Sequence, residues 1–450
     1  MPLSTVAQGH INQASRKSVE NEFAKLNHNW NISRWLKTNN RYADNSVSRI
    51  TRDLKDGNRP HVSHLREYIV ASSVLHCMDG WSYLGRSLIS FLSGDIDVSR
   101  HLAYYAELRA VMSILASEGI GVFEGKHAYI SNKGNCYKIG GYNRTHTFAW
   151  EAFDYWGQLS RSSDLLLSGI FGEGYSASEW LNYFTSASGS IALIGQNWFS
   201  RWGLDLKRLS SDREARNLVS YRPTSLSSSS PPSPEKALEF VSHIWEMCEP
   251  KASERFYKLD QFLLRQSIEF VFKLANAGDR SRKQASKLYA RQVDSMLHQL
   301  NPNNDQKWSD FLKFNTEPDL PQIIIQASGK LKPHNPGHER QVLSRATILL
   351  KTATNSCDLL FKEISLFNSN QLRFWWEQLG ESRPLWKNGN DPSHMTDLWN
   401  DVETAISDIE NWINKNTHNN ISYEEMWKEL ASSAAVLSTC ERIGLWGFGL

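Results

Sequence analysis

Lys283, Lys287 and Arg291 lie in the stretch DRSRKQASKLYARQ (279–292), with Arg280 just before them. On a helix these four positions share one face. Cations aligned in this way contact the phosphates of a nucleic-acid backbone, and Tyr289 interleaves with them. The competing reading is a plain solvated face. His127 and His146 stand on either side of a Gly-containing segment and could lie close in space. Imidazole is the side chain best suited to moving protons near neutral pH; hydrogen-bonded loop histidines are the plainer alternative. Arg109 sits in a segment that is apolar over most of its surface, with Ser113 and Ser117 continuing a polar stripe. A guanidinium beside a core needs a partner, in a site or merely in the structure. Arg291 and His298 also fall on one helical face. Metal signals are weak. His334 and His338 are separated by Pro336 and Gly337, and His61 and His64 lack a third ligand nearby. There is no HExxH, no calcium loop and no G-x-S-x-G elbow, and GIFGEGYSAS (169–178) lacks the lysine of a phosphate-binding loop and reads as a turn. No metal and no cofactor are expected.

The elements that must position these residues are mainly helices. Residues 1–60 are polar and Asn-rich and read as an irregular or partly ordered arm with a short helix near Ala24–Leu36. From His61 the apolar residues recur at helical spacing, with Asp79-Gly80 as a turn signal, and a buried helix follows over Val98–Ser117. GVFEGKHAYI, SNKGN and CYKIGG, within 120–141, read as strand, turn and strand, a small β-hairpin. Helices resume at Thr145, with capping boxes at Ser176/Glu179, Ser211/Glu214 and Ser422/Glu425. RPTSLSSSSPPSP (222–234) cannot supply a core and reads as a linker, with Pro234 in the first turn of the next helix. The fold class expected is therefore mainly α: a polar arm (1–60), a helical domain (61–221) carrying the hairpin, the linker (222–234), and a second helical domain (235–450).

One resemblance covers roughly residues 98–223. HLAYYAELRAVMSILASEGIGVFEGKHAYI (101–130) resembles the central helix of the HEPN superfamily, through Tyr104, Tyr105 and the Lys126-His127 that follows the helix. EARNLVSYRP (214–223) resembles the later helix of that family, through Arg216 and Asn217. The resemblance implies a metal-independent endoribonuclease, often dimeric, in which an arginine stabilises the phosphorane charge and a histidine moves the 2′-hydroxyl proton. Where the family has that histidine this chain has Tyr221, and a phenol titrating near 10 is a poor base at neutral pH. Arg216, Asn217 and Tyr221 are therefore the candidate site, with His127 or His146 as the substitute base.

Composition bounds the rest. With 450 residues, two or three domains are expected. The net charge of only +2 gives no global pull toward nucleic acid, so any such binding must be local. The 17 Trp read as core anchors. Five scattered Cys without a CxxC fit a reducing cytosol, and there is neither a secretory signal nor an apolar run long enough to span a membrane, so a cytoplasmic chain is expected. The apolar end GLWGFGL (444–450) either packs back or docks on a partner. The function expected is a HEPN-like scaffold, sensor or RNA-binding component of a bacterial system directed against phage or mobile elements. The alternatives are an endoribonuclease using Arg216 with an atypical base, and a structural subunit held by the tail.

Overall fold

The computed structural model describes residues 3–55, 58–141, 144–184, 217, 230–251, 254–276, 282–303, 305–328, 338–365, 367–387, 389–416 and 421–450. The chain is mainly α. In order, its helices and strands are α1 (Thr5–Gln13), α2 (Arg16–Trp30), α3 (Ser46–Asp53), α4 (Val62–Leu92), α5 (Ile96–Ser117), β1 (Ile120–Val122), β2 (His127–Ile130), β3 (Cys136–Ile139), α6 (Thr145–Gly157), α7 (Ser160–Ser168), β4 (Phe171–Gly172), β5 (Tyr175–Ser176), α8 (Ala177–Phe184), α9 (Pro234–Met247), α10 (Tyr257–Ala275), α11 (Arg282–Leu300), α12 (Asp305–Leu312), α13 (Gln322–Ser328), α14 (Glu339–Lys362), α15 (Arg373–Ser382), α16 (Trp399–Asn416), α17 (Tyr423–Leu437) and α18 (Glu441–Gly447).

The division expected at 222–234 gives way to a discontinuous one. The first compact unit comprises Met1–Trp156, Lys207–Trp245 and Pro336–Leu450; the second comprises Gly157–Leu206 and Glu246–Asn335. The cause lies in α14, which is distant in sequence yet packs along α5 and α4 and is buried over most of its length. Its Thr354 hydroxyl accepts the Trp81 indole N–H at 2.9 Å, and its Arg345 pairs with Glu107 at 3.3 Å with both side chains out of solvent.

The frame of the first unit is the α4–α5 hairpin. Small residues line their contact, so the backbones approach closely. The Ser113 hydroxyl donates to the Ser73 carbonyl at 2.6 Å, which satisfies a buried polar group. Asp79-Gly80 is not a turn, because α4 runs through it to Leu92. A Cβ at Gly80 would lie 3.3 Å from the Arg109 Cβ and 2.4 Å from a Leu350 methyl, so this glycine serves close packing inside a helix. Reversal comes instead at Gly94 (φ +74°), after which Asp95 caps α5 through the Val98 N–H.

Gly85 makes the tightest of these approaches. A Cβ there would sit 2.1 Å from the Ser438 carbonyl oxygen. Gly→Ala in a solvent-facing helix gains about 1 kcal/mol. Displacing a packed backbone costs about 1–3 kcal/mol or more. Gly85→Ala is therefore expected to destabilise the protein by up to about 2 kcal/mol net, read as a lower thermal midpoint; a raised midpoint would contradict the packing argument.

Residues 1–60 are not an irregular arm. They form α1, α2 and α3, held by a buried apolar row on α2 at helical spacing, Val19, Phe23, Leu26 and Trp30, and by polar contacts. Buried Glu67 on α4 accepts from Asn29 (2.6 Å), Asn40 (2.5 Å) and the Lys37 N–H (3.1 Å). The Ser15 N–H donates to the Ile130 carbonyl at 2.9 Å, which ties the α1–α2 junction to the sheet. That sheet has three antiparallel strands in the order β1–β2–β3: the expected hairpin is present as β2–β3, and β1 adds a strand to it. The tail is core and not a docking segment. Trp446 and Phe448 are 1% exposed, Trp446 packs beside Trp245 and Trp399, and Gly444 lies against Met78 and Trp81.

In the second unit the Gly-rich stretch is a two-residue hairpin. Glu173 (φ +53°) and Gly174 (φ +81°) turn β4 into β5. Ser176 and Glu179 cap each other at the start of α8, and Trp180 stacks near Trp308 at 4.8 Å. In the first unit, Pro234 opens α9 as expected, and the Ser422/Glu425 box opens α17. The box at Ser211/Glu214 lies outside the described residues.

Candidate functional site

His127 opens β2, the middle strand of the sheet, and is paired with Val122 on β1 and Ile139 on β3. It is fully buried, and its ring stacks on Phe148 with centroids 3.9 Å apart and planes 9° apart. Its Nδ1 accepts the Phe123 N–H at 3.3 Å, so the ring proton sits on Nε2. Burial, and then Lys126, push its pKa down to about 3. A ring so weakly basic and shut from solvent does not take up a substrate proton. His146 turns elsewhere. It and Phe148 are about 200° apart around α6, and the His146 Nδ1 meets the Tyr104 hydroxyl at 3.0 Å. The Trp150 indole donates to that same hydroxyl at 3.2 Å. An indole N–H only donates, so Tyr104 accepts from Trp150, while the direction of its bond to His146 follows the imidazole tautomer. The two histidines expected together thus face different partners. Arg216 and Tyr221 lie outside the described residues. Asn217 is half-buried, and no contact in the described structure joins it to either histidine.

The partner that Arg109 needs is on α4. Its Nη1 donates to the Nδ1 of half-buried His76 at 2.7 Å and forms an ion pair with Asp79 at 3.4 Å. Burial first, and then Arg109, push His76 down to about 3, so the ring is neutral with its proton on Nε2. His76, Asp79, Tyr83 and Arg86 follow one another along one face of α4. The sequence signal for Arg109 was its polar stripe. His76 and Asp79 were missed because nothing in their local spacing says which helix faces α5.

In the second unit, Lys283, Lys287 and Arg291 are exposed along one face of α11, with His298 further on. No carboxylate pairs with these three cations among the described residues, while the neighbouring Asp294 is taken by Lys313. Arg280 lies outside the described residues. Tyr289 does not interleave on this surface: it is core, 9% exposed, with its hydroxyl donated to the Leu312 carbonyl at 3.1 Å.

Among the described residues no three His, Cys, Asp or Glu side chains cluster to hold a metal ion. His61 and His64 stack on each other at 3.6 Å, His338 lies beside Glu339, and His334 is outside the described residues. A cleft of 720 Å³ in the first unit is lined by residues including Trp386, Asp401, Asp408 and Arg442. Several of its charged groups are engaged with their neighbours: Arg442 with Asp401 at 2.9 Å, and Asp408 with the Ser433 hydroxyl at 3.1 Å. No described helix is long and apolar enough to cross a membrane.

Comparison with protein-family models, with curated proteins and with solved structures finds no match for this chain.

Proposed function

We propose that this protein is a non-cleaving RNA-binding component of a bacterial defence assembly. The carrying observation is the row of exposed cations Lys283, Lys287 and Arg291, none paired with a carboxylate among the described residues. Arginine and lysine left unpaired along one helix face are free to take backbone phosphates. The non-cleaving part follows from the candidate bases: His127 is buried and nearly non-basic, and the His146 Nδ1 is committed to Tyr104. The defence setting rests on the resemblance over 98–223.

The test is binding of a labelled single-stranded RNA of mixed sequence across a salt series, by wild type and by the triple variant Lys283→Glu, Lys287→Glu, Arg291→Glu. Losing three phosphate contacts on a single strand lowers the log–log salt slope by about 2, and affinity is expected to fall at least about tenfold. The substituted side chains are exposed, so the thermal midpoint should hold. Unchanged affinity and slope would remove the stripe as the RNA contact. Cleavage of the same RNA in EDTA, abolished by Arg216→Ala, would replace the non-cleaving reading with the ribonuclease one.

A further inference from the structure

We propose that Arg109 and His76 form a binding site for the phosphate group of a nucleotide, on the α4–α5 face of the first unit and independent of the cation row on α11.

Arg109 has one of its three nitrogens in use. Only Nη1 is committed, to His76 Nδ1 at 2.7 Å and to Asp79 at 3.4 Å. Nε and Nη2 carry no hydrogen bond among the described residues, and the side chain keeps 30% of its surface open. The Nε/Nη2 edge is the side of a guanidinium that receives two oxygens of a phosphate in parallel. Arg265 in the second unit shows the contrast. It is a structural arginine, wholly buried, with both terminal nitrogens spent on backbone carbonyls. Arg109 is held through one nitrogen and leaves its fork unspent. Because Asp79 and His76 already fix it, little side-chain entropy remains to be lost on binding.

The surroundings add donors of the same kind. His76 accepts at Nδ1, so its Nε2 carries a proton, and that N–H makes no hydrogen bond among the described residues. Arg383 reaches the Ser82 hydroxyl at 3.3 Å, one helical turn along α4 from Asp79, and pairs with Glu441 at 3.3 Å. Arg86 follows one turn later and lies over the Tyr83 ring at 5.9 Å. Both Arg86 and Arg383 act on the Asp79 carboxylate together with Arg109. Three guanidinium groups thus face two carboxylates, Asp79 and Glu441, which leaves a net positive charge for a dianion.

Tyr83 makes the ligand a nucleotide and not a bare anion. It stacks with Tyr105 at 5.6 Å, the pair is half-buried, and Tyr83 stands one turn from Asp79 on the same face. An aromatic ring beside a phosphate-binding fork offers a base something to stack on, whatever its sequence.

The test is calorimetric titration of the full chain with inorganic phosphate and with AMP, at low ionic strength. Wild type should bind both saturably, AMP the more tightly. Arg109→Lys keeps the charge but loses the fork, and should weaken AMP binding at least tenfold. Arg383→Ala, at a side chain 39% exposed, should weaken it a few-fold without loss of folding. Tyr83→Leu should bring AMP down to the affinity of inorganic phosphate. The triple α11 variant should bind AMP as wild type does, so failure of the RNA reading and failure of this one are separable. Competition by an oligonucleotide with a 5′-phosphate, but not by its 5′-hydroxyl counterpart, would identify a strand end as the source; competition by mononucleotides alone would identify a free nucleotide. Either result upholds the site. It is overturned if neither phosphate nor AMP binds saturably, if Arg109→Lys binds AMP as wild type does, or if Tyr83→Leu leaves AMP affinity unchanged.

Discussion

Arg265→Met is expected to destabilise the second unit by about 3–5 kcal/mol. The guanidinium is fully buried and donates to three main-chain carbonyls: Phe311 at 3.2 Å, Glu317 at 2.7 Å and Asp319 at 3.2 Å. The rings of Phe262, Phe311 and Phe314 surround it with centroids 4.9, 4.3 and 4.7 Å away. Methionine retains the apolar volume and suits those rings, so the loss isolates the hydrogen bonds. Each carbonyl left unsatisfied in a dry site costs about 1–3 kcal/mol. Two of the three bonds are part-buried, so water recovers some of that, which holds the total below the full sum. The segment after α12 has a further reason to let go. Phe314 (φ +63°) and Glu317 (φ +47°) stand in the left-handed region without being glycine, at about 1–2 kcal/mol each. That strain persists only while Arg265 holds the segment. Hydrogen exchange should show lost protection over 313–320 and along α10, and the urea midpoint should fall. An unchanged midpoint, with protection intact at 313–320, would mean that the carbonyls are satisfied without the arginine.

What could be read in the sequence was local, and what could not was a matter of which distant surfaces meet. Ser422 with Glu425, Ser176 with Glu179, and Pro234 each act within one helical turn, and the structure carries all three. Asp79-Gly80 resembled a turn because glycine usually breaks a helix. Only the arrival of Leu350 from α14, remote in the chain, reveals that the glycine serves packing. Residues 1–60 read as irregular because the many polar residues, among them the amides that bind buried Glu67, dilute the apolar row Val19, Phe23, Leu26 and Trp30 that α2 does carry at helical spacing. The apolar end was visible as a segment needing cover, yet nothing local could say that the cover is Trp245, Trp399 and Met78 of its own chain. The site divides in the same way. Arg109 was legible from its own stripe. Its partner His76 depends on the register of α4 against α5, and the parting of His127 from His146 depends on which face each presents after the sheet.

Between pH 7 and pH 5 the protein is expected to lose about 2 kcal/mol of stability through His127 alone. The native ring titrates at about 3 because burial, and then Lys126, oppose its charged form; unfolded it returns to the ordinary 6.5. A lowered histidine pKa means that the native state stays neutral where the unfolded chain binds a proton. In the window from 6.5 down to about 3 the unfolded state therefore binds more protons, and stability falls as the pH falls through it. Above 6.5 both states are neutral and the contribution is flat. No opposite charge compensates, because the groups against the ring are Phe148, the Phe123 N–H and the strands on either side. His127→Asn removes the titration and keeps an acceptor for the Phe123 N–H, at some cost in stacking that does not depend on pH. Unfolding free energies of the two proteins, measured in urea at a series of pH values, should converge by about 2 kcal/mol as the pH drops from 7 to 5. His76, also held near 3, remains in the variant and should leave it a residual slope of the same sign. Parallel curves over that range would mean that His127 accepts a proton without unfolding, and the ring would then have to reach solvent through β1 or β3, the two strands that now enclose it.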